Sequence, residues 1–274
     1  MFLKRAAALL GLAVAVAAKS STGDSVLVVL EPSLDKANYS TFFQGLTDKG
    51  YDLTFRSPKD AAPTIIEDDV AQFSHVVIFA PDSKSTCARS SKRVYVVSLT
   101  LDLGQDITPQ SLVSLLSKGT NLLLALSPKK QTIINSLAAE FSLILPPPGT
   151  PLISHFPERD TPATIVPVSP PSSHPALSAN LPPVWFSGVP FAYSPNPLLV
   201  PLLNAPAESF AADTTSDAGA DAVFESSDKG GDGLWAGSQL SLVAGYQTSS
   251  GARATFVGGV ELFSDEFAQK EVAA

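Results

Sequence analysis

A single cysteine, Cys87, excludes an internal disulfide framework and any multi-thiolate zinc centre. Three histidines, His75, His155 and His174, stand too far apart in sequence to form a close ligand pair. Charge is also scarce, at 16% of residues, and what there is leans acidic: 18 Lys+Arg against 26 Asp+Glu give a net charge of -8. Such a surface repels polyphosphates, so nucleic acid is not an expected partner. No G-x-S-x-G nucleophile elbow and no G-x-x-x-x-G-K-[ST] phosphate loop occurs. Gly231-Asp232-Gly233-Leu234-Trp235-Ala236 matches a dinucleotide-type pattern, yet it follows an acidic loop instead of a strand and reads as a turn. Asp213, Asp217, Asp221, Asp228 and Asp232 lack the every-second-residue rhythm of a calcium loop and read as a solvated stretch. No metal and no cofactor is expected.

Long apolar runs are missing as well. The longest, Ala6 to Ala18, follows Lys4 and Arg5 and falls short of the ~20 residues that span a bilayer. With small residues at Ala15 and Ala17 it reads as a secretory signal peptide, residues 1–18, cleaved near Ala17 or Ala18. The remaining chain is then expected in the secretory pathway. There Asn38-Tyr39-Ser40 is a sequon, and Asn38 reads either as a glycosylation site or as a helix cap.

With 45% hydrophobic residues the chain has ample material for a core. Its first part, residues 19–145, alternates strand and helix. Strands are expected at Ser25 to Leu30, Tyr51 to Arg56, His75 to Ala80 and Asn121 to Leu126. Helices are expected at Asn38 to Lys49, at a weaker stretch from Ile65 to Val70, after the cap Thr108 and Pro109, and from Ser127 to Ala139. Such alternation predicts an α/β fold, a parallel sheet with helices on both faces. Residues 146–274 differ: most of the 23 prolines lie between Pro146 and Pro206, which excludes long helices. This Pro-rich, β-rich region should hold short strands at Ala163 to Val168, Val184 to Ser187 and Phe191 to Tyr193. A closing hairpin of Leu240 to Tyr246 and Ala254 to Val260 should turn through Thr248 to Gly251.

Three stretches, SVLVVLEPSLDKANYSTFFQGLTDKGYDLTFRSPKD from Ser25, FSHVVIFAPDSK from Phe73 and LSLVAGYQTSSGARATFVGGVELFSDEF from Leu240, together resemble the DDOST-type accessory subunits of the endoplasmic-reticulum oligosaccharyltransferase. The last stretch holds Ala252-Arg253 and Phe263-Ser264-Asp265. LLSKGTNLLLALS and SPNPLLVPLL fit between them in the same order. The resemblance implies a flavodoxin-like first domain and a non-catalytic, structural subunit on the lumenal side of the endoplasmic-reticulum membrane. Its expected partners are the multi-span catalytic subunit, ribophorin-type subunits and small membrane subunits. The complex transfers a lipid-linked glycan from dolichyl diphosphate to asparagine, and no catalytic residue is carried over. The family continues past the FSDEF segment into a membrane helix, so the chain reads as C-terminally truncated. Membrane contact is then expected through partners or through a C-terminal helix missing from this chain.

Residues 85–104 interrupt the resemblance. Ser85 to Gly104 can be encoded with splice-donor-like and acceptor-like strings and reads as a retained intron, or else as a real inserted loop with an extra strand at Val94 to Leu99. The rival functional class is a lumenal or secreted amidotransferase-like or hydrolase-type enzyme on the same sheet, with Cys87 its one candidate nucleophile.

Overall fold

A computed structural model describes residues 21–80, 106–128, 133–156, 163–172, 174, 177, 181–212 and 235–270. Its strands, in chain order, are β1 (Ser25–Leu30), β2 (Asp52–Arg56), β3 (Ile66–Glu67), β4 (Val70–Ala71), β5 (His75–Phe79), β6 (Asn121–Ala125), β7 (Leu143–Ile144) and β8 (Leu152–Ser154). They continue with β9 (Val166–Val168), β10 (Val184–Phe186), β11 (Ala192–Tyr193), β12 (Leu199–Asn204), β13 (Ser209–Ala211), β14 (Ser241–Gln247) and β15 (Arg253–Val257). The helices are α1 (Ser40–Asp48), α2 (Pro109–Ser117), α3 (Ile133–Glu140) and α4 (Asp265–Gln269); 3-10 turns lie at Lys36–Tyr39 and Val260–Phe263.

Seven strands form one sheet in the order β12-β14-β15-β6-β5-β1-β2. From β2 to β15 the pairing is parallel, and β14 and β12 add on antiparallel. The five parallel strands, ranked along the chain, lie in the order 2-1-3-4-5 of a flavodoxin-like sheet. Alternation along each strand sends successive side chains to opposite faces. Leu27, Val29, Val76, Ile78, Leu122 and Leu124 pack with Leu112 and Leu115 of α2 and Ile134 and Leu137 of α3. Val26, Val28, Val77 and Phe79 pack with Phe43 of α1. Helices therefore cover both faces. The Thr108 cap holds: its hydroxyl accepts from the Ser111 N–H at 3.1 Å, and the Ser111 hydroxyl accepts from the Thr108 N–H at 2.8 Å.

One expectation is corrected. The helical stretch at Ile65 to Val70 is instead the hairpin β3–β4, with Ile66 opposite Ala71 and Glu67 opposite Val70. Asp68 and Asp69 turn it at φ 47° and 64°, left-handed positions that short Asp side chains tolerate and a helix does not. The fifth parallel strand, β15, comes from the C-terminal region and pairs with β6, Ala254 opposite Leu122 and Val257 opposite Ala125. Residues between them form short antiparallel pairs, β10-β9, β11-β7 and β13-β8, around a second core of Leu152, Val166, Phe186, Trp235 and Leu242. β12 was not expected, because Pro201 interrupts it. At the sheet edge a proline costs no central ladder bond, and register shifts accompany it.

Chain crossing at the end of β15 requires glycine. A Cβ on Gly258 would lie 2.1 Å from the Val189 carbonyl oxygen, and one on Gly259 2.0 Å from that of Ser187. The Val189 N–H donates to the Gly258 carbonyl at 2.8 Å, which locks the crossing and aims the following residues over the carboxyl edge of the sheet.

Candidate functional site

In open α/β sheets ligands settle at the carboxyl ends of the strands where the order reverses, here between β1 and β5. In this chain that crevice is occupied by its own C-terminal segment. The Glu31 N–H donates to the Phe79 carbonyl at 2.9 Å, closing the strand ends. Above them the ring of Phe263 stacks on Phe79, centroids 5.1 Å apart at 27°, and lies 4.8 Å from Phe42. A flavin or nucleotide base seeking this spot would meet an aromatic cluster already assembled.

The polar half of the crevice is filled too. Helix α1 opens at Ser40 after Tyr39, which gives no side-chain cap. The exposed N–H groups of such a first turn are an anion site. Asp265 supplies the anion: its carboxylate accepts from the Ser40 N–H at 2.9 Å, the Ser40 hydroxyl at 2.6 Å and the Thr41 N–H at 2.8 Å. Hydrogen bonds from the Ser40 side chain, and then from Thr41, hold its pKa down to about 2. Ser264 in turn caps α4, its side chain accepting from the Phe267 N–H at 3.3 Å. Nearby Tyr39 is buried, and desolvation, helped by the charge of Glu261, pushes its phenol up to about 12.

At the neighbouring strand end, Arg56 carries a guanidinium with no exposed surface. It meets Asp106 with two bonds, Nη1 to Oδ2 at 2.7 Å and Nη2 to Oδ1 at 3.0 Å, and donates to the Pro63 carbonyl at 2.5 Å. The Ile65 N–H also donates to Asp106, at 3.1 Å. Arg56 Nε has no hydrogen-bond partner among the described residues. This pair ties the loop after β2 to the approach of α2, and both of its charged groups are spent on each other.

The residues singled out in the sequence do not converge. Asn38 is exposed on the turn before α1, and the cap there is Asp35, whose side chain accepts from the Ala37 N–H at 2.9 Å. Cys87, the 85–104 segment, the aspartates from Asp213 to Asp232, the Gly231–Gly233 turn and the 1–18 segment all lie outside the described residues. His75 lies with Nε2 3.0 Å from the Gly23 carbonyl and Nδ1 3.2 Å from the Asn121 amide. His155 stacks on Phe210, and His174 lines a cavity of about 470 Å³ with Pro167, Pro201, Asn204 and Glu208. Among the described residues no three His, Cys, Asp or Glu side chains group so as to hold a metal ion. Sequence reading missed the Arg56–Asp106 pair and the job of Asp265. The one local signal was Tyr39, a residue that cannot cap the helix it precedes.

Comparison with known proteins gives a coherent result. Residues 17–274 match the family described as OST48, N-terminal domain. The Schizosaccharomyces pombe dolichyl-diphosphooligosaccharide–protein glycosyltransferase subunit wbp1 is 24% identical, covering 85% of this chain and 48% of its own. The Danio rerio dolichyl-diphosphooligosaccharide–protein glycosyltransferase 48 kDa subunit is 25% identical, covering 97% of this chain and 56% of its own. The chain thus spans about half the length of the curated relatives it matches. Among solved structures, the carbohydrate deacetylase Agd3 aligns over 86% of this chain and 29% of its own, at a TM-score of 0.41 and 14% identity, too distant to carry an argument.

Proposed function

Since the chain belongs to the OST48 N-terminal domain family, we propose that it is a non-catalytic, structural subunit of the oligosaccharyltransferase complex, on the lumenal side of the endoplasmic-reticulum membrane. The complex would move a glycan from dolichyl diphosphate onto asparagine in N-x-S/T sequons, with the chemistry in a separate multi-span subunit. The relatives named as subunits of this glycosyltransferase support the assignment. The observation that carries the structural role is the filled crevice. Phe263 and Asp265 occupy the place where a sheet of this kind would hold a ligand, so the sheet serves as a rigid body for assembly.

No described helix is long and apolar enough to cross a membrane. Membrane contact comes through the multi-span, ribophorin-type and small membrane subunits. The signal peptide, residues 1–18, is removed on entry to the lumen. Within the chain, residues 19–145 supply four of the five parallel strands, and residues 146–274 form the Pro-rich, β-rich part that completes them.

The test is co-purification. The tagged chain, expressed in cells depleted of their own 48 kDa subunit, should bring down the multi-span glycosyltransferase from detergent-solubilised microsomes and raise N-glycosylation of a reporter. Recovery of a folded chain without any oligosaccharyltransferase subunit would contradict the assignment.

A further inference from the structure

The two faces of the parallel sheet are not equally covered. α2 and α3 lie over one face. On the other, α1 stands over β1 and β5, and the β-rich core reaches Val243 of β14. Between them a strip formed by Val77 of β5, Leu123 of β6 and Thr255 of β15 floors an open groove of about 260 Å³, walled by Phe42, Leu46 and Tyr51. Phe42, Leu46, Leu123 and Thr255 are all only half-buried. Parallel sheets are covered by helices on both faces, and three adjacent strands span roughly 10 Å, the distance at which one helix packs beside another.

The chain's own continuation is spent elsewhere. After β15 the Gly258–Gly259 crossing sends it over the carboxyl edge, where α4 delivers Asp265 to α1. No described helix occupies the strip beside α1.

The amino end of the groove carries a built polar row. Asn121 accepts from the Arg253 N–H at 2.9 Å through Oδ1, and its amide nitrogen lies 3.2 Å from His75 Nδ1. Tyr51 sets the edge of its ring against His75, centroids 5.3 Å apart. This row fixes the backbone of Arg253 at the rim. The side chain of Arg253 makes no ion pair among the described residues, and Arg253 is exposed.

We propose that this groove receives an amphipathic helix from another subunit of the same complex, lying antiparallel to the strands as α1 does, with an acidic residue of its last turn paired to Arg253. The polarity follows from the charge. A helix in that direction brings its C-terminal carbonyls, the negative end of its dipole, to the amino edge where Arg253 stands. An apolar stripe on its lower face meets Leu123 and Thr255, and its flank meets Phe42 and Leu46. The proposal rests on the assignment to the oligosaccharyltransferase.

Photo-crosslinking in the assembled complex tests it. A benzophenone amino acid is placed at Thr255 or at Leu46, with Val113 on the exposed side of α2 as the control. Both groove positions should give an adduct with one other subunit, mapped by mass spectrometry to a helical segment with an Asp or Glu near its C-terminal end. Val113 should not give that adduct. Arg253→Glu should lower the adduct yield about tenfold, with the melting temperature of the chain unchanged, and reversing the mapped acid to Arg should restore it. Adducts confined to this chain, or groove adducts no stronger than at Val113 in a complex that still co-purifies, overturn the docking proposal alone. Failure of the unmodified chain to co-purify overturns the assignment to the complex and the docking proposal with it.

Discussion

Asp265 caps the helix that begins at Ser40, although 225 residues separate them. The contact holds the last described helix against the first and seals the carboxyl edge of the sheet. Its acid behaviour has a definite sign. A carboxyl whose folded pKa is about 2, against an ordinary 3.8, contributes stability that is fully present above pH 3.8 and is lost as pH falls toward 2. Asp265→Ala should lower the melting temperature at pH 7 and flatten its fall between pH 4 and pH 2. A variant whose acid unfolding curve matches the unsubstituted chain would remove Asp265 from this role.

Arg56 and Asp106 form the other long-range tie, 50 residues apart. Asp106→Ala leaves a buried guanidinium without its counter-ion and should cost about 3 kcal/mol or more, measured by denaturant unfolding. Replacing both residues by apolar ones of similar size should cost less than the single change, because no buried charge is then left over. Equal costs for the two variants would count against a buried, unpaired Arg56 as the cause.

A glycan at Asn38 would have to be added before the fold closes. In the folded chain the Ser40 hydroxyl of the sequon is held by Asp265 at 2.6 Å, and Tyr39 between them is buried. Pulse labelling should show the endoglycosidase-sensitive shift on nascent chains and none acquired later. Asn38→Gln should abolish the shift while changing stability by less than about 0.5 kcal/mol, since Asn38 is exposed, Asp35 caps the 3-10 turn and Asp265 caps α1. Acquisition of the glycan by chains that have already folded would refute this order of events.

Deletion of Ser85 to Gly104 joins Lys84 to Gln105, next to the Asp106 that Arg56 holds. If the segment is an insertion, the shortened connection should melt at the same temperature or higher and assemble at least as well. Unfolding of the deletion variant, or transcripts that always keep the segment, would make it an integral loop.

Local signals were legible and distant ones were not. β1 and β5 announced themselves by β-branched runs, and α2 by Thr108 and Pro109, because each signal lies within the element it specifies. The β3–β4 hairpin was hidden because its turn depends on two aspartates in left-handed conformation, which Ile65, Ile66 and Val70 masked with a helical spacing. The closing hairpin of β14 and β15 was readable, but its parallel docking on β6 was not. That register depends on contacts such as Arg253 with Asn121, 132 residues away. The same distance concealed the site: Phe263-Ser264-Asp265 stood out only as a resembling motif, and its physical task became visible once Phe79 and Ser40 were beside it.

The central proposal is that this chain helps build the glycosyltransferase without performing the transfer. The most direct measurement is glycan transfer from a dolichyl-diphosphate-linked donor to an acceptor peptide. It would compare purified complex containing the unsubstituted chain, complex containing Cys87→Ala, and the chain alone. The account predicts equal rates for the two complexes and none for the isolated chain. Transfer by the chain alone, or loss of transfer in a Cys87→Ala complex that assembles normally, would contradict it.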